Sequence, residues 1–276
     1  MTDASQPLFL FGAGFCARAL AAIWDGPIAA TYRSQDSLKA LEKLQITPVS
    51  INDKAGLAKA VNGAMVLVSA PPKATGCPGI SSIGGFAPDA AGLIYLSTTG
   101  VYGDLAGGWA MEWSQVNPQS ERGRRRVQAE MAWQKAFPQT TIVRLPGIYG
   151  PGRSPLDRVA SGKARRIIKP GQVFSRAHVA DIAAGLKALM QARASGVFNL
   201  CDEEAAPPQD VIAFAADLLG IEPPPEVAID EAALSDMARS FYAECKRVSN
   251  ARLKAATGWR PAYPTYCEGL AAIMAE

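Results

Sequence analysis

The residues best placed to do chemistry at the start of the chain are Gly12, Gly14, Phe15 and Ala17, in the order Gly12-Ala-Gly14-Phe15-Cys-Ala17. They follow the apolar run Leu8-Phe-Leu-Phe11 and open an alanine-rich segment with helical spacing. Strand, Gly-x-Gly-x-x-Ala and helix in that order form a dinucleotide-binding fingerprint. Gly12 lets the chain turn sharply. Gly14, without a Cβ, lets the backbone approach a pyrophosphate, and Ala17 keeps the helix close to the strand. The helix N-terminus, with Phe15 as its first residue, offers unpaired N–H groups and partial positive charge to phosphate oxygens.

The second strand of such a unit ends in Asp or Glu when the cofactor is NAD, because a carboxylate accepts from the ribose hydroxyls. Here it ends Thr31-Tyr-Arg33-Ser34. Arg33 offers a cationic fork for a 2′-phosphate and Ser34 a second donor, which favours NADP(H) over NAD(H). The competing reading makes Arg33 a solvated charge at a strand end. Asp36 belongs at the N-terminus of the following helix.

Elements that could position these residues alternate along the first 150 residues. Strand patterns cover residues 8–11, 28–32, 46–51, 65–69, 93–97 and 141–145, the third weakened by Pro48. Helical patterns cover residues 15–24, 37–44, 54–61 and 121–137. This alternation predicts an α/β protein with a doubly wound parallel sheet, a Rossmann domain over residues 1–150. After Gly150 the chain becomes rich in Gly and Pro and basic. Residues 151–276 are expected to form a smaller C-terminal α/β substrate domain, with about 172–200 returning to the sheet.

The 276 residues, 49% hydrophobic and 19% charged, suffice for a large core. A net charge of +3 is too mild for a dedicated nucleic-acid binder. No run is long and apolar enough for a membrane span, and no basic leader precedes residues 8–11. The five cysteines show no pair at metal-ligand spacing, so no metal site is expected, and their odd number fits reduced thiols in a cytoplasmic protein.

Three further segments carry a resemblance: Tyr95-Leu-Ser97-Thr98-Thr-Gly-Val-Tyr102-Gly103, Arg144-Leu-Pro146-Gly-Ile-Tyr149-Gly-Pro-Gly152 and Arg176-Ala-His178-Val-Ala-Asp181. With the glycine fingerprint and the tail from Lys246 to Trp259, they make nearly the whole chain resemble the extended short-chain dehydrogenase/reductases, the NAD(P)-dependent epimerase/dehydratase family. The resemblance implies a nicotinamide cofactor across the carboxyl ends of the strands and a substrate in the cleft between domains. It places the cofactor along Ser69, Ala70 and Pro71 after the fourth strand, and near Ser97 and Pro146. It makes Thr98 the hydroxyl that holds the substrate oxygen. A homodimer, common among relatives, is the assembly it leaves open.

The chain departs from the family at the proton relay. The family's Tyr-x-x-x-Lys pair falls on Glu121-Arg122-Gly-Arg124-Arg125-Arg126, so Arg122 stands at the Tyr position and Arg126 at the Lys position. This places the chain in an atypical subgroup. Arginine stays protonated in proteins, so neither residue serves as acid or base, whereas both suit an anionic substrate. The alternative is a solvated basic helix. If catalysis occurs another acid must serve: Tyr102, Tyr149 and His178 are the candidates, and Tyr102 is taken as the catalytic acid beside Thr98. Tyr149, His178 and the basic pair Arg165-Arg166 are taken as substrate-binding residues, with packing roles for both tyrosines and His178 as the competing reading.

The expected function is therefore an NAD(P)-dependent oxidoreductase or epimerase for a small anionic carbonyl or sugar-nucleotide-type substrate, with no nucleic-acid or membrane partner. The alternatives are a catalytically impaired NADP(H)-binding sensor or scaffold, and a non-redox enzyme whose cofactor is structural.

Overall fold

A computed structural model describes residues 6–276. Seven parallel strands form the central sheet: β1 (Leu8–Phe11), β2 (Ile28–Tyr32), β3 (Thr47–Ser50), β4 (Met65–Val68), β5 (Gly92–Thr98), β6 (Thr141–Leu145) and β7 (Gly196–Asn199). Their order is β7-β6-β5-β4-β1-β2-β3. The order reverses between β1 and β4, which opens the crevice where α/β sheets bind ligands. Pro48 sits in β3, at the sheet edge, where a missing N–H costs no ladder bond.

Strands buried on both faces need apolar residues at every position. In β1, Leu8 and Leu10 face one core while Phe9 and Phe11 face the other. The first core is covered by α1 (Phe15–Ala22), α2 (Gln35–Lys43) and α7 (Val179–Gln191), the second by α3 (Lys54–Val61), α4 (Pro78–Ile83) and α5 (Glu121–Ala136).

Late in the chain, α7 packs on α1, and β7 pairs with β6 from Gly196↔Thr141 to Asn199↔Arg144. Helix α10 (Ala251–Thr257) also packs on α7 and β7. A separate core joins α6 (Pro155–Ala160), α8 (Pro208–Leu218) and α11 (Tyr266–Ala275) around Tyr149. A short parallel pair, Arg166–Ile168 with Glu226–Ala228, and helix α9 (Asp236–Tyr242) complete this smaller unit.

Candidate functional site

The glycine turn is tied to both neighbouring strands. Gly12 has φ +93°, a conformation L side chains rarely adopt. Its N–H donates to Thr31 Oγ1 at 2.9 Å, and its carbonyl accepts from Ser69 Oγ at 2.6 Å. Ser69 thus braces the turn, and Ala70 donates its N–H to the Phe11 carbonyl at 3.3 Å. Gly14 is different. A Cβ there would find only Ser69 Oγ, 3.9 Å away, so the protein's own packing does not require glycine. Gly14 caps α1 with no side-chain bond, leaving the first N–H groups aimed into that open cradle. Ala17 is fully buried beneath it. Phe15 walls one side, with the Arg153 guanidinium 5.7 Å from its ring. A helix N-terminus without a side-chain cap, beside a glycine with room for a Cβ, suits a phosphate group.

At the end of β2, Arg33 is exposed and joins no ion pair among the described residues. Ser34 caps α2 in a reciprocal box with Ser37, so its hydroxyl already serves the helix. Asp36 lies in the first turn of α2, as its sequence position implies. Pro71 is exposed just beyond β4.

Successive residues of a strand face opposite sides, and this separates Thr98 from Ser97. Thr98 lines a cleft of about 620 Å³ and accepts the Gly100 N–H at 3.2 Å. Ser97 turns inward and donates to Glu130, which pairs with Arg144 at 2.7 Å. Tyr102 joins the same interior network. It has no exposed surface, it donates to Asn199 Oδ1 at 2.7 Å, and the Arg144 guanidinium lies 4.8 Å from its ring. Burial pushes its phenol above the ordinary range. The structure therefore places Ser97 and Tyr102 in a buried network behind the cleft, and not among the groups that face it.

Tyr149 and His178 are likewise packed inside. Tyr149 is fitted against Gly269, where a Cβ would lie 2.0 Å from its hydroxyl, and burial drives its phenol far up. His178 Nδ1 accepts the Ala180 N–H at 3.3 Å and caps α7, so its proton resides on Nε2. Its ring lies between Tyr149 and Tyr263, with centroids 5.2 and 4.3 Å away, and burial lowers its pKa. Beside it, Asp181 accepts from the N–H groups of Ala262 and Tyr263 at 2.7 and 3.1 Å, pinning the tail. The third sequence motif is thus a junction in this chain.

The cleft runs from Thr98 and Pro146, at the ends of β5 and β6, to the smaller unit. The N-terminus of α5 is wedged against its floor: a Cβ on Gly123 would lie 3.0 Å from the Gly100 carbonyl oxygen. Arg122 lines the cleft with its guanidinium 5.0 Å from the Phe241 ring. Arg126, one turn on, points back to the sheet and donates to the Leu96 carbonyl and, at 3.2 Å, to the Tyr95 hydroxyl. Arg165 lines the cleft, while Arg166 pairs with Glu226 at 2.7 Å on the other face of its strand. Lys163, from the same basic run, lines the cleft too, as do three cations that the sequence does not mark as site residues: Arg158, Arg176 and Lys246. Lys246 is held by the Gly103 carbonyl and Glu244, both at 2.6 Å. These three come from segments far apart in the chain, so no local spacing marks them as one group. Tyr242 also faces the cleft, its ring edge-on to Phe174 at 5.6 Å, with its phenol pushed up by burial.

The sheet order and the crevice are those of a fold found in solved proteins described as NAD-dependent epimerases and dehydratases. DesIV, a dTDP-glucose 4,6-dehydratase from Streptomyces venezuelae solved with NAD and TYD bound, superimposes with TM-score 0.77 at 17% identity, over 98% of this chain and 96% of its own. Within this fold class the chain belongs to the same family as a conserved protein of unknown function from Silicibacter pomeroyi. The two share 43% identity with TM-score 0.90, over 98% of this chain and 99% of that one. Protein YeeZ of Escherichia coli K12 is 36% identical over 136 residues, 48% of this chain and 47% of YeeZ. The matched segment thus spans about half the length of that curated relative. No protein-family model matches the sequence. Among the described residues, no helix is long and apolar enough to cross a membrane.

Proposed function

We propose that the chain binds NADP(H) across the glycine turn and acts as an oxidoreductase or epimerase on a small anionic substrate in the adjoining cleft. One observation carries this reading: the Thr98 hydroxyl and the Arg122 guanidinium line a single cleft at the carboxyl end of β5. A bound nicotinamide would supply or accept hydride. Thr98 would hold the substrate oxygen by donating its proton, since its lone pair already accepts the Gly100 N–H. Arg122 would fix the charged end of the substrate. Arg33, exposed beyond β2 without a carboxylate partner, would receive the 2′-phosphate.

A second reading, a cofactor-binding sensor, is favoured by one feature. The groups best suited by sequence to carry a proton, Tyr102, Tyr149 and His178, are all buried away from the cleft. Tyr242 is the phenol that remains there.

Parallel fluorescence titrations with NADPH and NADH test the cofactor, with Arg33→Ala as the control. The expected result is tighter NADPH binding, with the preference lost in the variant. Equal affinity for both would remove the phosphate role of Arg33, and binding of neither would overturn the proposal. NADPH oxidation with a panel of anionic carbonyl compounds then separates enzyme from sensor.

A further inference from the structure

The cleft's lining carries a chemical bias that narrows the substrate class, and the argument rests on the reading of this cleft as the substrate site. Among the described residues that line it there is no Asn, Gln, Asp or His. Its carboxylate, Glu244, is already bound to Lys246 at 2.6 Å. Of its seven hydroxyls, four already accept a backbone N–H with one of their two lone pairs: Ser120 from Gly123 at 3.1 Å, Ser175 from Val248 at 3.0 Å, Ser235 from Ala238 at 3.3 Å and Thr98 from Gly100 at 3.2 Å.

A sugar ring presents several hydroxyls, and each needs an acceptor for its proton. Guanidinium and ammonium groups only donate. A hexose in this cleft would therefore set most of its hydroxyl protons against donor-only cations and apolar walls, with few acceptors to take them. The walls are instead apolar, built from Ile167, Val173, Phe174, Val211, Ile212 and Leu234. Around them, Arg122, Arg158, Lys163 and Arg165 form no ion pair with any described carboxylate. The paired lysine and the carbonyl-bound Arg176 add to the same field. An apolar wall beneath unpaired cations matches an apolar body bearing an anionic group.

We infer that this cleft takes an amphiphilic anion, a carboxylate or phosphate ester on an aryl or acyl body, and not a polyhydroxylated sugar. Apolar faces of the ligand would lie against Phe174, Val211 and Ile212, and its anion would meet the cationic group of Arg122, Arg158 and Arg165.

The test uses 8-anilinonaphthalene-1-sulfonate as a fluorescent reporter, displaced by 1-naphthyl phosphate, UDP-glucose or inorganic phosphate. Each titration is run with and without saturating NADPH. The NADPH-free arm reads the cleft even if the cofactor assignment fails, so the two failures are distinguishable. The expected result is that 1-naphthyl phosphate displaces the reporter at least tenfold more tightly than either competitor. In an Arg158→Gln, Arg165→Gln variant this affinity should fall at least tenfold with no change in thermal midpoint, since both side chains are exposed. UDP-glucose binding as tightly as 1-naphthyl phosphate would overturn the inference. So would inorganic phosphate matching it, because the body would then contribute nothing. An unaffected double variant would place the binding elsewhere and overturn it equally.

Discussion

The Glu130 carboxylate and the Arg144 guanidinium meet at 2.7 Å in the interior, each side chain only 6% exposed. Glu130 comes from α5 and Arg144 from β6, so the pair ties the cleft-forming helix to the sheet. Glu130 also accepts from Ser97, and Arg144 lies over Tyr102. Two buried charges are tolerated because each is paired and hydrogen-bonded. Removing one leaves the other desolvated and alone. Glu130→Ala is expected to destabilise the protein by about 3–5 kcal/mol in urea denaturation. A loss within error of zero would mean that water or another group satisfies Arg144.

Asp202 supplies a pH dependence with a definite sign. Burial pushes its carboxyl from the ordinary value of 3.8 up to about 8, although Oδ1 accepts the Arg176 N–H at 3.4 Å. Its Oδ2 is buried with no hydrogen-bond partner. The folded state therefore holds a proton that the unfolded chain releases at lower pH. The contribution to stability is full below the unfolded carboxylate pKa. It is lost as pH rises from 3.8 toward 8. Asp202→Asn cannot titrate. Relative to this variant, the native protein should lose stability between pH 5 and 8, measured by thermal denaturation at each pH. Parallel curves for the two proteins would show that Asp202 is already ionised in the fold.

The sheet was legible because its strands are short apolar runs at regular intervals, and both faces of each are covered. Even the weak strand with Pro48 was readable once an edge position could accept it. Thr98 was legible as a cleft residue, since the motif places it where β5 ends. Tyr102 and Tyr149 were not separable from site residues by type: a tyrosine that packs and one that donates a proton look alike in a sequence. Only the partners, Asn199 for one and the tight fit against Gly269 for the other, tell them apart. The pair Arg165-Arg166 was not resolved by sequence, because a three-residue strand begins only at Arg166, inside a stretch that reads as loop. Arg158, Arg176 and Lys246 could not be, because their convergence is a product of tertiary structure.

Arg122 and Arg126 lie one turn apart on α5, yet the structure separates their roles. Arg126 is half-buried and spends its guanidinium on the Leu96 carbonyl and the Tyr95 hydroxyl. Arg126→Gln should lower stability by about 1–3 kcal/mol, because the groups it leaves are sheltered from water. Arg122→Gln should leave the stability within about 0.5 kcal/mol of native, as for an exposed site. It should instead weaken 1-naphthyl phosphate binding in the cleft. If Arg122→Gln lost as much stability as Arg126→Gln and bound the probe normally, the cationic face of α5 would be structural throughout.

The two turn glycines should respond to substitution in opposite ways. At Gly12 an added Cβ meets the Ser69 hydroxyl at 3.1 Å and the Ala70 nitrogen at 3.2 Å, with φ at +93°. Gly12→Ala is therefore expected to cost at least about 1–2 kcal/mol of stability from the backbone conformation alone. At Gly14, φ is −78° and the nearest atom to a Cβ is 3.9 Å away. Gly14→Val should fold with a native thermal midpoint. Its branched side chain would, however, occupy the cradle above the first N–H groups of α1, where a pyrophosphate must approach. NADPH affinity should fall at least tenfold by fluorescence titration, while displacement of 8-anilinonaphthalene-1-sulfonate from the neighbouring cleft stays as in the native protein. Native-like NADPH binding by a stably folded Gly14→Val protein would mean that the cofactor phosphates do not lie on this turn.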